Sequence, residues 1–214
     1  MAESRPVALP PAERTVGQLV AESIRFYGDH FWAGLGLGLA PAALAVVGAH
    51  LSRRATLVLS PTLFGALLSA TFVYACVLVL GNRPSRQRLV VAWFVGWLVF
   101  IPAPFLVLAY VLPGLLWLAA FALLVPVLVV ESVPLRTAPG RAWRLARADH
   151  VHGIGSLLTL AIVVLLSQGV LAFVLRGFGD TAVWVAYFLA SVVVSPLLFI
   201  GTALLYVDQA ARVE

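Results

Sequence analysis

Glu131 closes a stretch, residues 89–130, that contains no charged side chain at all. A carboxylate in that position has two uses: it can hold a proton or ligand on a membrane path, or pair with arginine at the membrane interface. Arg136, Arg141, Arg144 and Arg147 follow it closely, so the expectation is a structural ion pair of Glu131 with Arg136, with Arg141 and Arg144 as the other candidates. Asp208 and Arg212 stand at i, i+4 and are expected to pair along one helix. Gln168 is neutral within an apolar run and is expected to bond a neighbouring helix. His30, His150 and His152, with Asp29 and Asp149, have residue types that bind metal, but their spacing is a weak signal, and no metal is assigned. Cys76 is the one cysteine, so neither a disulfide nor a thiolate cluster can form. It reads as a small buried hydrophobe.

The chain that must position these groups has 214 residues, 62% hydrophobic and 11% charged, with mean hydropathy +1.04. Soluble domains are about 25% charged, and a globule this apolar could not cover its core with polar surface. The bilayer is the expected solvent. All fourteen basic residues are arginine, which reads as the codon bias of a GC-rich bacterial genome. The net charge of +5 is expected to serve anionic lipid headgroups and not nucleic acid, because the arginines lie between apolar runs. The first residues lack the basic start, apolar core and cleavage site of a signal peptide.

A span needs about 20 apolar residues, since the hydrocarbon is about 30 Å thick and each helical residue rises about 1.5 Å. The runs 31–51, 56–81, 89–111, 114–130, 153–175 and 182–207 give six. The break between the third and fourth is set at "LPG", 112–114; a break at Pro102 or Pro104 leaves one helix too short. Residues 1–14 are a flexible lead, 15–208 one six-helix membrane domain and 209–214 a short tail. With a cytoplasmic N-terminus, eleven of the fourteen arginines fall on the cytoplasmic side, against Arg53, Arg54 and Arg176. Both termini are therefore expected in the cytoplasm of a bacterial cell, with the protein in its inner membrane.

Two polar interludes read as interfacial amphipathic helices. In "RAWRLAR", Arg141, Arg144 and Arg147 share one side and Ala142, Leu145 and Ala146 the other, with Trp143 on the flank. Arg141, Trp143, Arg144 and Arg147 form the expected lipid-interface set. In "TVGQLVAESIRFYGDHF", Thr15 and Gln18 make a capping-box pattern, and Val16, Leu19, Val20, Ile24 and Tyr27 form the apolar side. Each helix ends in Asp-His and leads into a span, which suggests a parallel internal repeat over 15–81 and 137–207. The run "GLGLGL" offers two rows for close helix packing, Gly34 with Gly38 and Gly36 with Ala40. Pro41, Pro61, Pro126 and Pro196 are expected to kink their spans.

The blocks "TVGQLVAESIRFYGDHFWAGLGLGLAP", "GNRPS", "LPGLLWLAAFALLVPVLVVESVPLRTAPGRAWRLARADHVHGIGSLL" and "PLLFIGTALLYVDQAARVE" resemble bacterial six-span proteins related to the membrane domain of glycerophosphoryl diester phosphodiesterase. The resemblance runs from Thr15 onward and implies a topology more than a reaction. In two-part members of that family a separate soluble domain carries the metal chemistry; this chain ends seven residues past its last span. Ala142 stands where the family motif has a serine.

The expectation is thus an all-α integral membrane protein with no cofactor and no catalytic constellation. Its leading function is to organise or support a membrane or envelope protein partner in lipid or envelope homeostasis. A small transporter with Glu131 on its path is the alternative, and a membrane-embedded enzyme of phospholipid metabolism the weaker one.

Overall fold

Prolines decide where the apolar runs break. The structure, a computed structural model, describes residues 10–213 except 104, 107–110 and 132. Among these residues the chain is all-helical. Helix α1 (Val16–Asp29) starts on the capping box: the Thr15 hydroxyl accepts from the Gln18 amide, and the Thr15 amide donates to Gln18 Oε1 at 2.8 Å. α2 (Phe31–His50) carries Pro41 without breaking. α3 (Arg53–Leu59) joins α4 (Gly65–Leu80) through a wide turn at Ser60–Phe64 that absorbs Pro61. Gly81, with φ of 63°, ends α4 in the left-handed conformation that glycine adopts without steric cost.

α5 (Arg86–Phe100) ends at a turn over Ile101 and Pro102, whereas the sequence suggested a break at 112–114. Pro102 has no N–H to donate and its ring displaces the carbonyl four residues back. Pro113 and Gly114 instead lie within α6 (Val111–Phe121). Pro104 and most of residues 107–111, the expected end of the third span, lie outside the described residues. α6 gives way to α7 (Leu124–Val130) at Ala122, the residue whose carbonyl Pro126 would strike; that carbonyl takes a bond from Val125, three residues on, at 3.3 Å.

α8 (Ala138–Ala148) is followed by α9 (His150–Leu175), α10 (Asp180–Val194) and α11 (Pro196–Val213), the last two parted at Ser195–Pro196. The expected tail is therefore helical to Val213. Residues 1–9 of the expected lead lie outside the described residues, and Pro11–Glu13 form a single tight turn.

Among the described residues five segments are long and apolar enough to cross a membrane: Phe31–Gly48, Arg54–Leu80, Pro113–Val130, His150–Phe178 and Thr181–Val213. α5 alone spans about 22 Å at 1.5 Å per residue, short of the hydrocarbon thickness. Leu165, Leu166, Val170, Phe173 and Val174 cover the outside of α9 with bare apolar surface, which water would not tolerate over such a length. The chain is a membrane-embedded multi-pass protein.

α11 is the central helix. Among the described residues it packs against α1, α2, α4, α7, α8, α9 and α10, and twelve of its residues, from Pro196 to Gln209, are buried. α2 lies on α10 so closely that a Cβ built on Gly38 would stand 2.0 Å from the Val192 carbonyl oxygen. Four indole and hydroxyl bonds fasten the helices around α5. Trp93 donates to Ala66 O at 2.9 Å and Trp97 to Pro61 O at 2.7 Å, Trp117 donates to Val99 O at 2.8 Å, and Ser69 donates to Trp93 O at 2.6 Å. Hydrocarbon offers these polar groups no other partner.

Arg14 and Arg212 meet at one end of the bundle, and the Tyr206–Glu131 and Asn82–Val129 bonds bring residues 82 and 131 to that same end. Residues 86–130 therefore make an out-and-back excursion. The His50–Trp184 ring contact at 5.3 Å marks the opposite end, where Arg176 also terminates α9.

Candidate functional site

The densest polar assembly forms where the start of α1, the start of α9 and the end of α11 converge. Asp208, fully buried, takes a bond from Arg14 Nη1 at 3.1 Å. His152 Nε2 lies 3.4 Å from the other Asp208 oxygen, longer than a good hydrogen bond. Asp149 caps α9, its Oδ1 accepting from the His152 amide at 2.8 Å, and its Oδ2 pairs with Arg212. Arg212 also donates to the Arg14 carbonyl at 2.8 Å, and Gln209 Nε2 to the Asp149 carbonyl at 2.9 Å. Two carboxylates thus face two guanidiniums, and the cluster is close to charge-neutral. Its members lie up to 198 positions apart, so it ties the beginning of the described chain to its end.

The sequence reading missed this assembly. It paired Asp208 with Arg212, one turn along the same helix, but the two side chains serve different partners. Helix α11 is surrounded by protein, so Asp208 looks inward to Arg14 while Arg212 reaches across to Asp149. The available signal was Asp208 and Gln209 together at the end of an apolar run, which marks a helix buried on all sides at that level.

A second pair stands beside it. Arg141 Nε contacts both Glu131 oxygens, at 3.1 and 3.0 Å, and the Tyr206 hydroxyl donates to Glu131 Oε1 at 3.0 Å. The expected partner Arg136 is exposed instead. Pro134 turns the chain immediately after α7, and the start of α8 folds back over its end, so Arg141 comes within reach while Arg136 sits on the outside of the turn. Arg141 consequently leaves the expected lipid-facing set. Trp143, Arg144 and Arg147 stay exposed, with the Arg147 guanidinium 5.2 Å above the Trp143 ring. The apolar side of α8, Ala142, Leu145 and Ala146, packs on the bundle and is buried there.

α1 behaves likewise. Its buried row is Leu19, Ser23 and Tyr27, and Ile24 is exposed. Burial raises the Tyr27 phenol further above its ordinary range, so it stays neutral. The two Asp-His pairs are not equivalent: Asp29 is the last residue of α1, whereas Asp149 caps α9. His30 and His150 are exposed and His152 is buried. Among the described residues no three histidine, cysteine, aspartate or glutamate side chains gather as a metal site. Gln168 meets the expectation for it, donating to Ser191 Oγ on α10 at 3.0 Å.

Two grooves along the bundle are predominantly apolar. A groove of about 560 Å³ between α9 and α10 is lined by Leu166, Val170, Val174, Leu189 and Val193 with Ser167 as its polar member. Another, of about 430 Å³, lies between α2, α4 and α6 against Phe64 and Phe100, with Ser60 at its edge. Neither contains an ionisable side chain.

Fold and site together define an all-helical multi-pass membrane protein whose buried charges are paired internally at one end. Comparison with protein-family models, with curated proteins and with solved structures finds no match to the chain.

Proposed function

We propose that this chain is a non-enzymatic multi-pass domain of the bacterial inner membrane, with six spans and both termini cytoplasmic. In this reading it organises or supports a partner protein in lipid or envelope homeostasis. The resemblance to the membrane domain of glycerophosphoryl diester phosphodiesterases is part of the same proposal, as is descent of the two surface-helix units from one repeat. One observation carries the functional reading. Glu131, Asp149 and Asp208 are each held by an arginine of the same chain, and the grooves along the spans are lined by apolar side chains. Paired charges at one end and largely apolar grooves along the length suit a platform that contacts lipid and protein through its surface.

The test pairs two measurements on the full chain. Purified protein in proteoliposomes should conduct neither protons nor small solutes above empty vesicles. Cells lacking the protein should show an altered envelope lipid composition, restored by the intact gene. Flux that Glu131→Gln abolishes would replace this reading with the transporter.

A further inference from the structure

Two outward faces at the Asp208 end of the bundle carry opposite charge. On one flank of α11 lies α1, packed against α2, α9 and α11. Arg14 turns inward to Asp208, so the charge left on this flank is that of Glu13, Glu22 and Asp29 against Arg25, a net of two negative charges. Glu22 pairs with Arg25 at 2.9 Å, while Glu13 and Asp29 are exposed without an ion pair among the described residues. On another flank lie α8, packed against α6, α7, α9 and α11, and the segment that enters α5. Asn82 fastens that segment to the Val129 carbonyl at 2.9 Å, close to the Glu131 that Arg141 holds. Arg83, Arg86, Arg136, Arg144 and Arg147 are exposed there, and none of the five is in an ion pair among the described residues. We propose that each face is covered by the other face of a second copy of this chain. Copies then stand side by side in the membrane, α1 of one against α8 and the α5 entry of the next.

Depth allows the two faces to meet. A membrane holds every copy in one orientation, so two surfaces can pair laterally only when they stand at the same height. α1 runs along α11 from Asp208, bonded to Arg14, to Gly201, whose Cβ position lies 3.0 Å from Ser23 Oγ. α8 meets the same stretch of α11. Arg141 binds Glu131 where Tyr206 donates to it, and Gln209 donates to the Asp149 carbonyl just past the end of α8. Rotating a copy about the membrane normal therefore brings its α1 to the α8 of a neighbour.

Charge selects the occupant. Anionic headgroups or an acidic peptide would suit the arginine face, but Glu13, Glu22 and Asp29 would repel them. A second copy satisfies both faces with one contact. Complementary charge favours the right pairing and penalises like-charged ones, so α1 against α1 and α8 against α8 are both disfavoured. The contact is head to tail, the kind that closes into rings or extends in rows. Each face also offers an apolar anchor: Ile24, exposed beside Arg25, and Trp143, exposed under the Arg147 guanidinium. Tryptophan and arginine are among the residue types that dominate contacts between proteins. The inference does not depend on the function proposed above.

The test uses the full chain carrying two different affinity tags, co-expressed and extracted in mild detergent. Each tag should capture the other copy, and less of it as ionic strength rises. Reversing charge on either face alone, by Arg144→Glu with Arg147→Glu or by Glu13→Arg with Asp29→Arg, should lower capture roughly tenfold. Co-expressing those two variants with each other should restore it, since each then offers the face that the other lacks. Cross-linking reads the geometry. Gly28 and Gly140 have open space at their Cβ positions. In a Cys76→Ala background, Gly28→Cys on one copy should form a disulfide with Gly140→Cys on the other, and neither should do so with itself. No capture by the unaltered chain, capture that survives both reversals, or no rescue by the mixture would overturn the proposal. A Gly28→Cys chain that cross-links to itself would also overturn it, in favour of a symmetric pair. If the arginine reversal removes phosphatidylglycerol from the purified protein and leaves capture intact, the basic face belongs to lipid and the proposal falls. Where a charge-reversed variant fails to fold, the cross-link between chains of unaltered charge decides.

Discussion

Asp208 and Glu131 show how the same residue type is used at two depths of burial. Asp208 is fully buried beside Arg14, so removing its charge strands a guanidinium that is mostly out of water. Asp208→Asn should destabilise the fold by about 3 kcal/mol or more, read as a lowered melting temperature in detergent, and Arg14→Gln added to it should recover part of the loss. Glu131 and Arg141 keep about a fifth of their side-chain surface exposed, 19% each, so their mutual contribution is smaller. A double-mutant cycle should give a coupling of about 1–2 kcal/mol for Glu131 with Arg141 and near-additive losses for Glu131 with Arg136. The sequence identified Glu131 as a pin to the arginine helix but named the wrong arginine. Charge and order along the chain are visible in a sequence, whereas the angle at which α8 folds back over α7 depends on tertiary packing. Asp208 was misassigned for a related reason. The i, i+4 rule describes an isolated helix, and α11 is packed against seven others.

Among the elements, glycine packing was the most legible feature. Of the two small-residue rows in "GLGLGL", the structure uses Gly34 and Gly38: a Cβ on Gly34 would meet the Tyr27 ring at 2.4 Å, and one on Gly38 the Val192 backbone at 2.0 Å. Gly36 has open space around its Cβ position. Gly38→Ala should therefore force α2 away from α10 and cost about 1–3 kcal/mol, while Gly36→Ala should be neutral or gain several tenths of a kcal/mol from helix propensity. Paired melting curves in detergent check both, and equal effects would place α2 in a different rotation. The third span was less legible. An uncharged run such as 89–130 carries no polar punctuation, so prolines must arbitrate. Length favoured "LPG", yet the chain turns at Ile101–Pro102 and accepts α5 as a short helix. The amphipathic helices were recognised, but their apolar faces were assigned to the bilayer. Periodicity says that a helix has an apolar side and not what covers it; here α1 and α8 are covered by the bundle.

At the scale of the molecule, the membrane-length apolar runs were readable from the sequence because they need only residue hydropathy and the rise of a helix. The clustering of the chain's two extremities around Asp208 was not readable, since it depends on Arg14 and Arg212 meeting across the fold. Together these features make a bundle whose ion pairs gather at one end, with an opposite end marked by Arg176 and the His50–Trp184 contact. The most direct test of that account is site-specific labelling in intact cells. Cys76 is buried and is the one native cysteine, so Cys76→Ala gives a clean background for single cysteines at Gln87, Gly177 and Val213. A membrane-impermeant maleimide should label position 177 from outside, and label 87 and 213 only after the membrane is permeabilised. Labelling of 177 and 87 from the same side would contradict the two-ended bundle and the membrane orientation proposed for it.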